Sequence, residues 1–192
     1  ITVQVSALAV GFAAVLMTYL ISRQKSGAST VMVILSGMVI ASLFEAGISI
    51  IKFIADTESQ LPAITYWLMG SLANTNFNSL ALGAPFIAVG IAIIFVLRWK
   101  LNVLMLSEDE AKTMGVNIRV MRVIVALAAT MITASCVSMC GQVGWVGLLI
   151  PHICRMLFGS NNQNIVPASI SLGAVFLLVM DTVARSATAA EI

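Results

Sequence analysis

Apolar residues come in runs of roughly 20, separated by short polar clusters, and this spacing predicts a chain of membrane-crossing helices. The first run covers about Val3 to Ile21 and stops at the polar, basic turn Ser22-Arg23-Gln24-Lys25-Ser26-Gly27. The second covers about Val31 to Ile51. After Lys52, Asp56, Glu58 and Pro62, the stretch through Trp67 to Leu72 is too short to cross, and it reads as a surface or re-entrant helix with Tyr66 and Trp67 at the interface. A third run, about Leu80 to Leu97, ends at the aromatic and basic boundary Arg98-Trp99-Lys100. The longest polar insertion follows, Leu101 to Arg122, in which Glu108 and Lys112 stand i,i+4 as on a short helix and Gly115 offers its stop. Three more runs follow, about Val123 to Cys140, Trp145 to Phe158 interrupted by Pro151, and Val166 to Val183. The expected fold is all-α: a polytopic transmembrane helix bundle of about six spanning helices with short interfacial and cytoplasmic helices.

Basic residues sort by side. Arg23, Lys25, Arg98, Lys100, Lys112, Arg119, Arg122 and Arg155 occupy one set of loops, whereas the other holds only Lys52 and Arg185 beside acidic Asp56, Glu58 and Glu191. Lys and Arg stay preferentially in the cytoplasm, so six crossings place those eight residues inside and both ends of the chain outside.

Composition agrees with a lipid solvent. Of 192 residues, 60% are hydrophobic and 9% charged, with a mean hydropathy of +1.05, against about 25% charged in soluble domains. A net charge of +2 gives no reason to expect a nucleic-acid partner. Cys136, Cys140 and Cys154 lie in or beside apolar runs, which argues against a disulfide framework. The sequence opens inside an apolar run at Ile1 without a Met or a basic leader, so the expectation is a missing start or a fragment.

Charges within spans cost roughly 2.5 to 3.5 kcal/mol each and need a reason. Glu45 lies mid-span among Ser42, Ala46, Gly47 and Ser49; it reads as a pathway carboxylate or as a hydrogen-bonded packing residue. Asp181 and Arg185 are spaced i,i+4, which suits a structural pair or an outside docking contact. His152, beside Pro151, lacks an evident nucleophile and reads as structural; an intramembrane enzyme using it with Ser135 or Ser138 would have poor geometry. Cys136 and Cys140 without further ligands favour packing over a metal site. No G-x-x-x-x-G-K-[ST] phosphate loop occurs, so any energy source belongs to another chain.

Several motifs carry a resemblance. Leu101-Asn-Val-Leu-Met-Leu-Ser-Glu-Asp-Glu-Ala-Lys-Thr-Met-Gly-Val116 and Gly141-Gln-Val-Gly-Trp-Val-Gly-Leu-Leu-Ile-Pro-His152, continuing to Arg155, resemble the FecCD permease family of bacterial ABC importers for iron chelates, haem and cobalamin. Leu172-Gly-Ala174, Asp181 to Arg185 and Glu191 match the family's later segments; Leu35-Ser-Gly37 and Trp67-Leu-Met-Gly-Ser71 match more weakly. The resemblance implies a single transmembrane permease domain over 1–192, covering family helices four to nine and truncated at both ends. It implies a subunit in the bacterial inner membrane that is not itself an enzyme and has no cofactor or metal. Cytoplasmic ATP-binding subunits, an extracytoplasmic substrate-binding protein and a second permease copy would be its partners. The loop from Ser107 to Asn117 would couple to the ATPase, through Glu108, Ala111, Met114, Gly115 and Val116. Arg185 and Glu191 would dock the binding protein, and Glu45 is a candidate pathway residue. Gly141, Gly144 and Gly147 would allow close helix approach, and Pro151 would redirect the chain. The competing reading is an inactive membrane fragment.

Overall fold

The computed structural model describes residues 2–22, 30–72, 75–106 and 108–188. These form α1 (Thr2–Ser22), α2 (Thr30–Ile54), α3 (Gln60–Met69), α4 (Phe77–Leu97), α5 (Lys100–Val103), α6 (Glu108–Thr113), α7 (Ile118–Cys140), α8 (Val146–Phe158) and α9 (Asn162–Thr188), with no strand among the described residues. The basic turn at Arg23 and Lys25 lies outside them.

Five helices, α1, α2, α4, α7 and α9, are long and apolar enough to cross a membrane. The sixth expected span, Trp145 to Phe158, is the helix α8 of 13 residues, a rise of roughly 20 Å at about 1.5 Å per residue against a hydrocarbon core of about 30 Å. Its bounds match the expected run to within a residue, after the non-helical segment Gly141–Trp145, so the run itself is too short to cross as a helix alone. Pro151 does not break it: the helix continues to Phe158, as proline is tolerated where neighbours and local adjustment satisfy the freed carbonyl. Two other boundaries differ from the expectation. The polar insertion ends earlier, because Asn117 caps α7 by accepting from the Val120 N–H at 3.3 Å, so Arg119 and Arg122 belong to the first turns of α7. For a similar reason α9 starts at Asn162 rather than near Val166, behind Asn161.

The chain divides into two compact units, one of residues 1–88 and 129–142, the other of 89–128 and 143–192; the division falls within α4 and α7. In the first unit α1 packs along α2. Small residues set the close approaches: a Cβ on Gly11 would stand 3.0 Å from the Ala134 Cβ, and one on Gly83 would meet the Met139 side chain at 2.6 Å. Between helices in lipid, van der Waals packing of this kind replaces the hydrophobic effect as the adhesive force. Several hydroxyls within the spans return to their own helix: Thr18 Oγ1 donates to Ala14 O at 2.9 Å, Ser36 Oγ to Met32 O at 2.7 Å, and Ser42 Oγ to Met38 O at 3.0 Å.

The tightest backbone approach joins the end of α3 to the end of α7. Gly70 and Gly141 both adopt left-handed φ, +70° and +72°. A Cβ at Gly70 would lie 2.4 Å from Gln142 O, and one at Gly141 would lie 2.4 Å from Trp67 O. The Ser71 N–H donates to Cys140 O at 2.8 Å across the same junction. Of the three glycines expected to mediate close packing, Gly141 does so, whereas Gly144 and Gly147 have open space where a Cβ would stand. At the other end of α3, Asp56 locks the entry: its Oδ2 accepts from the Ser59 hydroxyl at 2.6 Å and the Ser59 N–H at 3.1 Å.

In the second unit α8 packs on α9 through Ile150, Cys154 and Ile165, with Leu172 and Phe176 alongside. Gly173 keeps that seam close, a Cβ there standing 3.7 Å from Ile150 Cγ2. Trp145, largely exposed, holds the left-handed conformation (φ 65°) at the head of α8.

Gly70→Ala and Gly141→Ala should each lower the thermal unfolding midpoint in detergent, because left-handed backbone alone costs about 1 to 2 kcal/mol for a side-chain-bearing residue and the backbone clash adds to it. Gly47→Ala, in open space within α2, should be neutral or gain up to about 1 kcal/mol. The Ser59 hydroxyl, followed by backbone N–H groups, holds the exposed Asp56 carboxyl below its ordinary value. The carboxylate lock is therefore fully present above that ordinary value and is lost as pH falls through the lowered one. Amide exchange at Ser59 should accelerate over that acid range, and Asp56→Asn should remove the pH dependence.

Candidate functional site

The connection between α4 and α7 holds most of the candidate residues, and local chemistry folds it. Arg98 lays its guanidinium 4.3 Å from the Phe95 ring centroid, a cation–π contact at the boundary of the apolar run. α5 follows for one turn, and the chain then turns through Met105 and Leu106, whose N–H groups donate to Asn102 O and Val103 O at 3.2 and 3.1 Å.

α6 starts at Glu108 and ends in a Schellman closure. Gly115 takes φ +71°, and the Val116 N–H reaches back to Ala111 O at 3.2 Å, the six-to-one bond of that motif. The accompanying apolar contact is also present: Ala111 is fully buried in a small cluster with Val103 and Ile118, with Leu104 and Val116 packed against it. The sequence signal at Gly115 thus specifies a real helix stop, and the next residues, Val116 and Asn117, lead directly into the cap of α7. The result is a six-residue helix clamped from beneath, with Met114 exposed beside it and Met105 and Leu106 exposed nearby. Ala111 and Val116 face this cluster, whereas Met114 and Gly115 stand on the exposed side. Glu108 is placed at the head of α6; its side chain and that of Lys112, and so their i,i+4 contact, lie outside the described residues, as does Ser107.

The other candidates are dispersed. On α9, Arg185 Nε donates to Asp181 Oδ2 at 2.8 Å, so the i,i+4 pair forms; at 60% and 27% side-chain exposure it is worth about 0 to 1 kcal/mol. Glu191 lies outside the described residues. Glu45 is exposed on α2, and Ser49 Oγ donates to its backbone carbonyl at 2.9 Å. His152 is exposed on α8. Ser138 Oγ donates to Ser135 O at 2.8 Å, which commits it to the backbone rather than to proton transfer. Cys140 Sγ turns back to Cys136 O at 3.0 Å, and no group of three or more metal-ligating side chains occurs among the described residues.

Sequence reasoning missed the asparagines. Asn102, Asn161 and Asn162 join α5 to the start of α9; the run Asn161-Asn-Gln-Asn164 ahead of an apolar stretch was the available cap signal. Gly115→Ala should destabilise the α6 closure by about 1 to 2 kcal/mol, the cost of left-handed backbone for a residue with a Cβ. The expected reading is a faster amide exchange at Val116 with the exchange of α9 unchanged.

A family model described as the FecCD transport family matches residues 1–192. The molybdate import system permease protein MolB of Haemophilus influenzae is 41% identical over 183 residues, which is 95% of this chain and 54% of that protein. The cobalamin import system permease protein BtuC of Halobacterium salinarum is 33% identical over 192 residues, 100% of this chain and 51% of that one. A solved structure, described as the inward-facing conformation of an ABC transporter assigned to the metal-chelate type, superposes with a TM-score of 0.90 at 39% identity, covering 96% of this chain and 59% of the other. The chain spans about half the length of the curated relatives it matches. It belongs to the FecCD transport family.

Proposed function

We propose that residues 1–192 form part of the permease domain of an ABC importer in the cell membrane, with ATP hydrolysed on a separate subunit. The observation that carries this reading is the six-residue helix α6, closed at Gly115 and held by Ala111 against Val103 and Ile118. A solvated linker has no need of a buried alanine and a Schellman closure. A helix that receives force from a partner does, because a loose element would absorb the displacement instead of passing it on. Glu108, Met114 and Gly115 would meet the ATPase, with Ala111 and Val116 as the packed base. Arg98, Lys100, Lys112, Arg119 and Arg122 in and around this linker support a cytoplasmic position for the helix.

On the other side, Arg185 would meet an acidic group of a substrate-binding protein, which would compete with Asp181 for the guanidinium; Glu191 would add to that surface. Such an exposed contact sets orientation and encounter rate more than affinity. A second permease copy would complete the pathway, with Glu45 as a carboxylate lining it. The cargo is a metal chelate or a comparable compound: iron chelate, haem or cobalamin by the motif resemblance, and molybdate by the name of the MolB relative.

The test is recovery of the partner ATPase by the full-length permease from detergent. Wild type should retain it, and Glu108→Arg combined with Met114→Glu should reduce recovery at least about tenfold, equivalent to about 1.4 kcal/mol of contact energy, while the unfolding midpoint stays unchanged. Equal recovery by both proteins would remove α6 from the interface.

A further inference from the structure

The side chain of Asn102, on α5, closes the amino end of α9. Its Oδ1 accepts from the Asn162 N–H at 2.9 Å, and its Nδ2 donates to Asn161 Oδ1 at 2.9 Å. Asn161 itself is the cap of α9: its Oδ1 also accepts from the Gln163 N–H at 3.0 Å, and its carbonyl accepts from Asn164 and Ile165 at 3.0 Å each. The first N–H groups of any helix have no partner within it. Here two of them are satisfied, one by the cap residue and one by a side chain 60 positions away in sequence. The backbone N–H groups fix both amide orientations: each Oδ1 must face a donor, which leaves the Asn102 NH2 to bridge to Asn161. Asn162 Nδ2 adds a contact to Met105 Sδ at 3.7 Å.

The neighbouring residue looks the other way. Val103 is buried against Ala111 of α6 and Ile118 of α7. One turn of helix thus has an apolar grip on α6 and a polar grip on α9, and α9 in turn is seated on α8 through Ile165 and Cys154. A local cap from Asn161 alone would serve the stability of α9. The second donor and acceptor, supplied from the linker, do something a local cap does not: they fix the position of α9's first turn relative to the base of α6.

We infer that Asn102 is a positioning residue, a polar strut that transmits displacement of α6 to the amino end of α9. This rests on the proposed role of α6 at the ATPase, and it adds a route by which that contact reaches a spanning helix.

The test uses the full-length permease with its ATPase in nanodiscs, trapped with ATP and vanadate, and follows amide hydrogen exchange. In wild type, trapping should change the exchange of Ile165–Ser169 by about fivefold, within the range of ordinary site-to-site coupling. In Asn102→Leu the ATPase should still be recovered and α6 should still respond to trapping, but the response of Ile165–Ser169 should vanish. Asn161→Asp, which keeps the acceptor oxygen, should preserve the response, and Asn161→Leu should lose it; this pair decides the matter where Asn102→Leu does not assemble. An unchanged α9 response in Asn102→Leu, equal responses in the two Asn161 variants, or no α9 response in wild type would each overturn the strut. Failure of wild type to retain the ATPase would instead count against the proposed function.

Discussion

Hydrocarbon offers no hydrogen bonds, so every backbone N–H and C=O within the membrane must find its partner in the protein. Most of what is distinctive in this chain follows from how it ends its helices under that constraint. The long spans are less demanding, since a helix satisfies most of its own backbone, and hydroxyls such as those of Thr18, Ser36 and Ser42 return to carbonyls one turn back, although those of Ser135 and Ser169 are buried without a partner. Interruptions are the difficulty. Where α3 and α7 stop, the chain brings two left-handed glycines together and closes them with the Ser71 N–H on Cys140 O. Outside the spans the chain closes its helix ends in the same way: at the end of α6 by a Schellman closure, at the head of α7 by Asn117, and at the head of α9 by an asparagine pair shared with α5.

Seen through those closures, two of the sequence motifs acquire a common purpose. Trp67-Leu-Met-Gly-Ser71 and the segment opening at Gly141 lie about 70 residues apart, yet Gly70 meets Gln142 and Gly141 meets Trp67 at distances no side chain would permit. Each needs its glycine because of the other. The glycine-rich character that suggests flexibility in isolation is here the condition for a fixed crossing of two backbones.

The fold was legible in the sequence to the extent that length and hydropathy decide it. Runs near 20 residues became α1, α2, α4, α7 and α9, because in lipid an apolar run of that length has few alternatives to a helix. The bounds of α8 were readable too, because Gly141 and Gly144 mark its start; counting so short a run as a crossing is what its length does not support. Pro151 misled because its cost depends on what surrounds the helix, which periodicity does not record. In the linker, Gly115 was readable because one residue defines a local closure. Asn102 was not, because its two partners come from Asn161 and Asn162, and nothing in a single sequence pairs positions so far apart.

Glu45 is subject to the same solvent constraint. It is exposed on α2, a helix whose apolar face includes Val39, Leu43, Ile50 and Ile51, all largely uncovered. Those side chains are at ease against lipid tails or against another apolar helix. A carboxylate in the middle of the same span is not, at a cost of roughly 2.5 to 3.5 kcal/mol if hydrocarbon covers it. Its own helix does not offset that cost: Ser49, one turn along, gives its hydroxyl to the Glu45 backbone carbonyl and not to the carboxylate. The surface of α2 around Glu45 is therefore poorly suited to lipid and well suited to a polar neighbour or to water. That mismatch with lipid is the physical support for counting Glu45 with the proposed pathway.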